Sequence, residues 1–91
     1  MQRNVFGFCV PGYNWCGPGC NGPGAPTNRV DACCRLHDRC INSYGPSCRC
    51  DRQFLNCLHS RINPHSREGQ DARFFYNFMR MKYNFDCRNF H

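Results

Sequence analysis

The feature that most restricts this chain is the spacing of its cysteines. Cys33 and Cys40 are seven residues apart, and so are Cys50 and Cys57. Seven residues is nearly two turns of an α-helix, so each pair marks one face of one helix. Two helices joined by a short loop prefer to lie antiparallel. Cys33 then meets Cys57 and Cys40 meets Cys50, because both pairs satisfy the same register. Each bridge would contribute roughly 3 kcal/mol through the entropy of the unfolded chain. The chain holds ten cysteines in 91 residues, above the roughly 8–10% that marks a disulfide scaffold, and an even number can pair completely. A domain this short has a thin core and needs such staples. The pattern implies an oxidising compartment. Zinc is disfavoured, because CRC at 48–50 and CC at 33–34 lack the two-residue gap of zinc ribbons and fingers.

One domain, 1–91, is expected, in three parts: a loop region over 1–28, a helix pair over 29–61, and a C-terminal helix and tail over 70–91. The stretch from Gly12 to Pro26 is too rich in glycine and proline for a helix, and its glycines would let backbone carbonyls converge. Asn28 reads as an N-cap with Asp31 as an approximate capping-box partner, opening a helix from about Arg29 to Asn42. Gly45 and Pro46 stop it. Ser47 caps a second helix from about Cys48 to Arg61, and NPHS at 63–66 ends that one. A third is expected from Asp71 to about Asn84. No run approaches the ~20 apolar residues of a membrane span. The opening MQRNV lacks the apolar core of a secretory leader, so either a leader is removed or export follows another route.

The helical register also places polar residues. His37 lies about 40° from Cys33 and about 60° from Cys40 around the first helix, on the side facing the second. Asp51, directly after Cys50, flanks the inward face of the second helix, within plausible reach of His37. Asp38 is turned about 100° further, toward the glycine loop. Cys34 points away from the helix pair, and its natural partner is Cys16 or Cys20. Alone, His37 would read as a structural histidine and Asp38 as a surface carboxylate. Together, and cross-linked to a glycine loop, they form a chemical arrangement. A histidine bonded to a carboxylate has a fixed tautomer and is a stronger base. A carboxylate beside glycine carbonyls is a hard-oxygen site suited to calcium. A base with a calcium ion makes a hydrolase. His59, His65 and His91 have no such company.

These residues resemble secreted phospholipase A2. DACCRLHDRC at 31–40 is similar to that family's active-site helix, WCGPG at 15–19 to its calcium loop, and CRCDRQFLNC at 48–57 to its second helix. Trp15 before the CGPG loop, and Cys87 after an aromatic helix, make the chain most similar to the bee-venom type. The resemblance implies a small, disulfide-rich, all-α fold of two antiparallel linked helices, a calcium-binding loop and a third C-terminal helix. It implies a calcium-dependent phospholipase A2 that hydrolyses the sn-2 ester of glycerophospholipids. His37 would be the general base, Asp51 would orient it, and Asp38 would ligate calcium with the backbone carbonyls of Trp15, Gly17 and Gly19. The Gly17 amide would help hold the oxyanion. The implied bridges are Cys16–Cys34, Cys33–Cys57, Cys40–Cys50 and Cys48–Cys87, leaving Cys9–Cys20.

Two departures bear on the site. Many members carry tyrosine where this chain has Ile41, bonding the aspartate that orients the histidine. Tyr76 or Tyr83 of the third helix is a substitute of imperfect spacing. The chain also lacks a recognisable amphipathic N-terminal helix. The formal charge of +6, from 12 basic and 6 acidic residues, favours anionic partners. The expected partner is a phospholipid surface, anionic in character, with no nucleic acid, for a secreted monomer. The aromatics Phe74, Phe75 and Phe78 with Met79, Met81 and Phe85 read first as core. Some of them, with Phe6, Phe8 and Phe90, could instead form a membrane-facing collar. Arg61, Arg67, Arg73, Arg80 and Lys82 read as solvated charges that would add lipid attraction. The rival readings are an inactive membrane- or receptor-binding relative, a disulfide-rich inhibitor or toxin, and a cationic nucleic-acid binder.

Overall fold

The computed structural model describes residues 7–87. Phe6 and Phe90 of the expected collar, and His91, lie outside them. Three helices, α1 (Arg29–Tyr44), α2 (Cys48–His59) and α3 (Arg67–Asp86), account for the regular structure among the described residues. Each begins where a short polar side chain satisfies a free amide. Asn28 Oδ1 accepts from the Asp31 amide at 2.8 Å, Ser47 Oγ from the Cys50 amide at 3.1 Å, and Ser66 Oγ from the Gly69 amide at 2.9 Å. These caps each contribute about 1 kcal/mol. Gly45, at φ 77°, ends α1 and returns its N–H to the Ile41 carbonyl, the left-handed exit that glycine takes without a Cβ penalty.

The helix boundaries correct two expectations. α3 starts at Arg67 rather than Asp71, because Ser66 caps it directly after the turn that ends the preceding segment. Gly69 lets this first turn press against Asn63, whose backbone a Cβ at position 69 would strike. Glu68 then ties α3 to α1 by accepting from the Arg29 amide at 2.8 Å and its guanidinium at 3.0 Å. α2 ends at His59, with Ser60 and Arg61 in the turn beyond.

The helical register is met: Cys33 is bonded to Cys57 and Cys40 to Cys50, so α1 and α2 lie antiparallel. Cys16–Cys34 ties the N-terminal loop to α1, Cys9–Cys20 closes that loop on itself, and Cys48–Cys87 joins the start of α2 to the end of α3. The core lies where the three helices meet the loop: Tyr13, Val30, Phe54, Leu55, Leu58, Ala72 and Met79, with Cys16, Cys33 and Cys34. α3 packs chiefly on α2 and more lightly on α1. Its aromatic set therefore divides, which corrects the reading of the whole set as core. Met79 is buried and Phe75 partly so, whereas Phe74, Phe78, Met81 and Phe85 are exposed along the outer face. None of the described helices is long and apolar enough to cross a membrane.

Candidate active site

α1 presents His37 to α2, and the two cysteine pairs that clamp the helices fix its position along the interface. His37 Nε2 lies 2.8 Å from Asp51 Oδ1. Both side chains are largely withdrawn from solvent, 15% and 10% exposed. With the carboxylate as acceptor, Nε2 carries the proton and Nδ1 is left as the basic nitrogen. The imidazole stacks on Phe54, with ring centroids 4.4 Å apart and planes 11° from parallel, so its plane is held by packing and its rotation by the hydrogen bond. A cavity of about 240 Å³, lined by Leu36, His37, Gln53 and Phe54 with Cys33, Cys50 and Cys57, opens beside the ring.

Asp38 follows on the neighbouring face of α1. It lies one turn beyond Cys34, and the Cys16–Cys34 bridge holds the loop against that face. Asp38 Oδ2 is buried and has no hydrogen-bond partner among the described residues. Burial, and then the charge of Asp31, push its carboxyl up to about 6 from the usual 3.8. A buried carboxylate oxygen without a donor is costly, and a cation would satisfy it. Among the described residues no three His, Cys, Asp or Glu side chains converge on one point. A cation at Asp38 would therefore need ligands other than a cluster of such side chains. Gly17 and Gly19 both adopt positive φ, 137° and 72°. At Gly17 no side chain is possible, because a Cβ would run into the Phe8 carbonyl. The Gly17 carbonyl accepts from the Cys20 amide at 3.0 Å, which turns the loop sharply at this point.

The residue that shapes this loop is Asp31, which the sequence reading treated only as a capping partner. Its side chain does not return to the Asn28 amide as a capping box requires. It is fully buried and accepts from four backbone amides: Asn14 at 3.0 Å, Trp15 at 2.8 Å, Cys16 at 3.1 Å and Thr27 at 2.9 Å. Three consecutive loop amides thus turn inward on one carboxylate. The Trp15 indole donates to the Gly24 carbonyl at 2.9 Å, and Asn14 Nδ2 to the Ala25 carbonyl at 2.8 Å, folding the second half of the loop back on the first. Tyr13 anchors the loop to α3 by donating to Asp71 at 2.6 Å. Burial and that bond raise its phenol to about 12.

The second missed residue is Lys82. Neither Tyr76 nor Tyr83 is bonded to Asp51: Tyr83 Oη accepts from Arg52 at 3.4 Å and Tyr76 packs on the His59 ring. Lys82 Nζ instead lies 3.4 Å from Asp51 Oδ2 and 3.1 Å from Asp86. This also corrects the reading of Lys82 as a merely solvated charge. Arg67 is likewise paired, with Asp71 at 3.3 Å. Arg61, Arg73 and Arg80 remain exposed.

The phospholipase A2-like domain family model matches residues 6–70. Group 3 secretory phospholipase A2 of Homo sapiens is 31% identical over 80 residues, covering 66% of this chain and 16% of its own length. A phospholipase A2 of Bombus terrestris is 36% identical over 70 residues, covering 55% of this chain and 52% of its own. The phospholipase A2 A2-actitoxin-Cgg2a of Condylactis gigantea is 50% identical over 44 residues, covering 45% and 35%. The chain thus spans about half the length, or less, of these curated relatives. No solved structure matches it significantly.

Proposed function

Because the chain belongs to the phospholipase A2-like domain family, we propose that it is a secreted, calcium-dependent phospholipase A2 cleaving the sn-2 ester of glycerophospholipids. The observation that carries this reading is the largely buried His37–Asp51 pair, with a buried, unpartnered Asp38 oxygen on the neighbouring residue. His37 Nδ1 takes a proton from a water molecule, and the water oxygen attacks the sn-2 carbonyl carbon. Asp51 stabilises the imidazolium that results, since Nε2–H is already directed at its carboxylate. His37 then returns the proton to the departing glycerol oxygen, giving a lysophospholipid and a fatty acid. No acyl-enzyme forms.

Asp38 and the carbonyls of Trp15, Gly17 and Gly19 would hold calcium, and the Gly17 amide would donate to the oxygen on which charge develops. A bound calcium ion supplies positive charge that polarises the ester carbonyl and offsets that developing negative charge. The loop is suited to this by rigidity: Asp31, the Cys16–Cys34 bridge and the close approach of Gly17 to Phe8 set its backbone before any ligand arrives. The exposed stripe Phe74, Phe78, Met81 and Phe85 on α3, with Arg73 and Arg80 nearby, would rest on an anionic phospholipid surface.

The test is hydrolysis of a phosphatidylcholine carrying different acyl chains at sn-1 and sn-2, with products resolved by mass. Release of the sn-2 acid alone, with the matching 1-acyl lysophospholipid, is expected. No release from fully oxidised protein that still binds the vesicles would instead mark an inactive binding relative.

A further inference from the structure

Asp51 has two carboxylate oxygens, and only Oδ1 is used by His37. A carboxylate held at one end can turn about its Cβ–Cγ bond, and the imidazole it orients would turn with it. The other end, Oδ2, meets the ammonium of Lys82 from α3. Lys82 is itself held from the side by Asp86, one turn further along the same helix. The end of α3 is fixed to the start of α2 by the Cys48–Cys87 bridge, which closes on the turn that carries Asp51. Three separate elements therefore converge on one carboxylate: α1 through His37, α2 through its own backbone, and α3 through Lys82.

Resting on the phospholipase reading above, we propose that Lys82 is a positioning residue for the reaction, fixing the Asp51 carboxylate so that His37 Nδ1 faces the water it activates. Lys82 bonds Asp51 and Asp86 rather than His37, and the role it plays is exerted through Asp51. Its pKa is raised, chiefly by its bond to Asp86 with a further contribution from Asp51, so it is a cation at neutral pH. The Lys82 side chain is half-exposed whereas Asp51 is buried. The pair is therefore a local anchor for Asp51 rather than a source of global stability. Sequence separation explains why no motif reveals it: 31 residues part the two partners.

The experiment compares wild type, Lys82→Met and Lys82→Arg on a short-chain phosphatidylcholine kept below its micelle-forming concentration, so that attraction to a lipid surface plays no part. Lys82→Met is expected to lower kcat by about tenfold, with KM changed by less than about twofold, and Lys82→Arg to recover most of the loss because it keeps a charged donor. Wild-type kcat in Lys82→Met, a loss confined to KM, or an equal loss in Lys82→Arg would overturn the proposal. A second readout is independent of turnover: the His37 Nε2 proton resonance. It is expected to be protected from exchange in wild type and Lys82→Arg and to be lost in Lys82→Met. If wild type fails to hydrolyse the ester, the functional reading falls, and this resonance alone decides the positioning role. Equal protection in all three proteins overturns it.

Discussion

Replacing Asp31 by asparagine tests how the loop is built. The substitution keeps the size of the side chain and removes its charge. Asp31 Oδ1 accepts from the Trp15 and Cys16 amides, and Oδ2 from the Asn14 and Thr27 amides. An asparagine has one oxygen, so its NH2 must face one of these two pairs, donor against donor. Two of the amides that face this fully buried side chain then lose their acceptor, at about 1–3 kcal/mol each, while the other two exchange a charged acceptor for a neutral one. The cost is about 3–4 kcal/mol, which in a domain of this size lowers Tm by about 15–25 °C. Calorimetry of wild type and Asp31→Asn, both with all five bridges formed, reads this directly. The same change also removes the charge that adds to the raised Asp38 pKa. A melting temperature within about 3 °C of wild type would refute the claim that this one carboxylate organises residues 14–16.

Calcium affinity should follow the ionisation of Asp38. Its folded pKa is raised, so in the ion-free protein protonation favours folding. That contribution is present below the ordinary value of 3.8 and is lost as pH rises through about 6. A cation requires the ionised form, so calcium should raise Tm more at pH 8 than at pH 5, and affinity should fall up to about tenfold per unit below pH 6. An affinity independent of pH across this window contradicts the assignment. Gly17→Ala and Gly12→Ala form a pair: both positions have positive φ, but only at Gly17 does the added carbon meet the Phe8 carbonyl. Both carry about 1–3 kcal/mol of backbone strain, yet only Gly17→Ala should also weaken calcium binding, as read by titration calorimetry. Converting Phe78 and Met81 together to serine should reduce sedimentation with anionic vesicles about 30-fold, at ~1 kcal/mol per side chain withdrawn from lipid. Hydrolysis of a monomeric short-chain substrate should be unchanged.

The disulfide register was readable because a seven-residue spacing is a property of the helix itself, and the His37–Asp51 contact followed from that register. Four features were not readable, each because its partner is distant or disguised. Asp31 occupies the position where a capping acid is expected, and its four donors come from a loop whose path no periodicity describes. α3 begins four residues before Asp71 because Ser66 caps it and Gly69 packs its first turn on Asn63. Lys82 looks like any basic residue on an exposed helix face until α3 is laid across α2. The outer stripe of α3 shares its helix with Met79 and Phe75, and composition does not separate the two faces. Position around the helix does, once the packing partner is known.

The most direct test of the central claim is fatty acid release from phospholipid vesicles by wild type and His37→Ala, first with calcium and then with excess chelator. Release that requires calcium and is lost in His37→Ala is the predicted result. Release that persists in His37→Ala, or that ignores the chelator, contradicts the account.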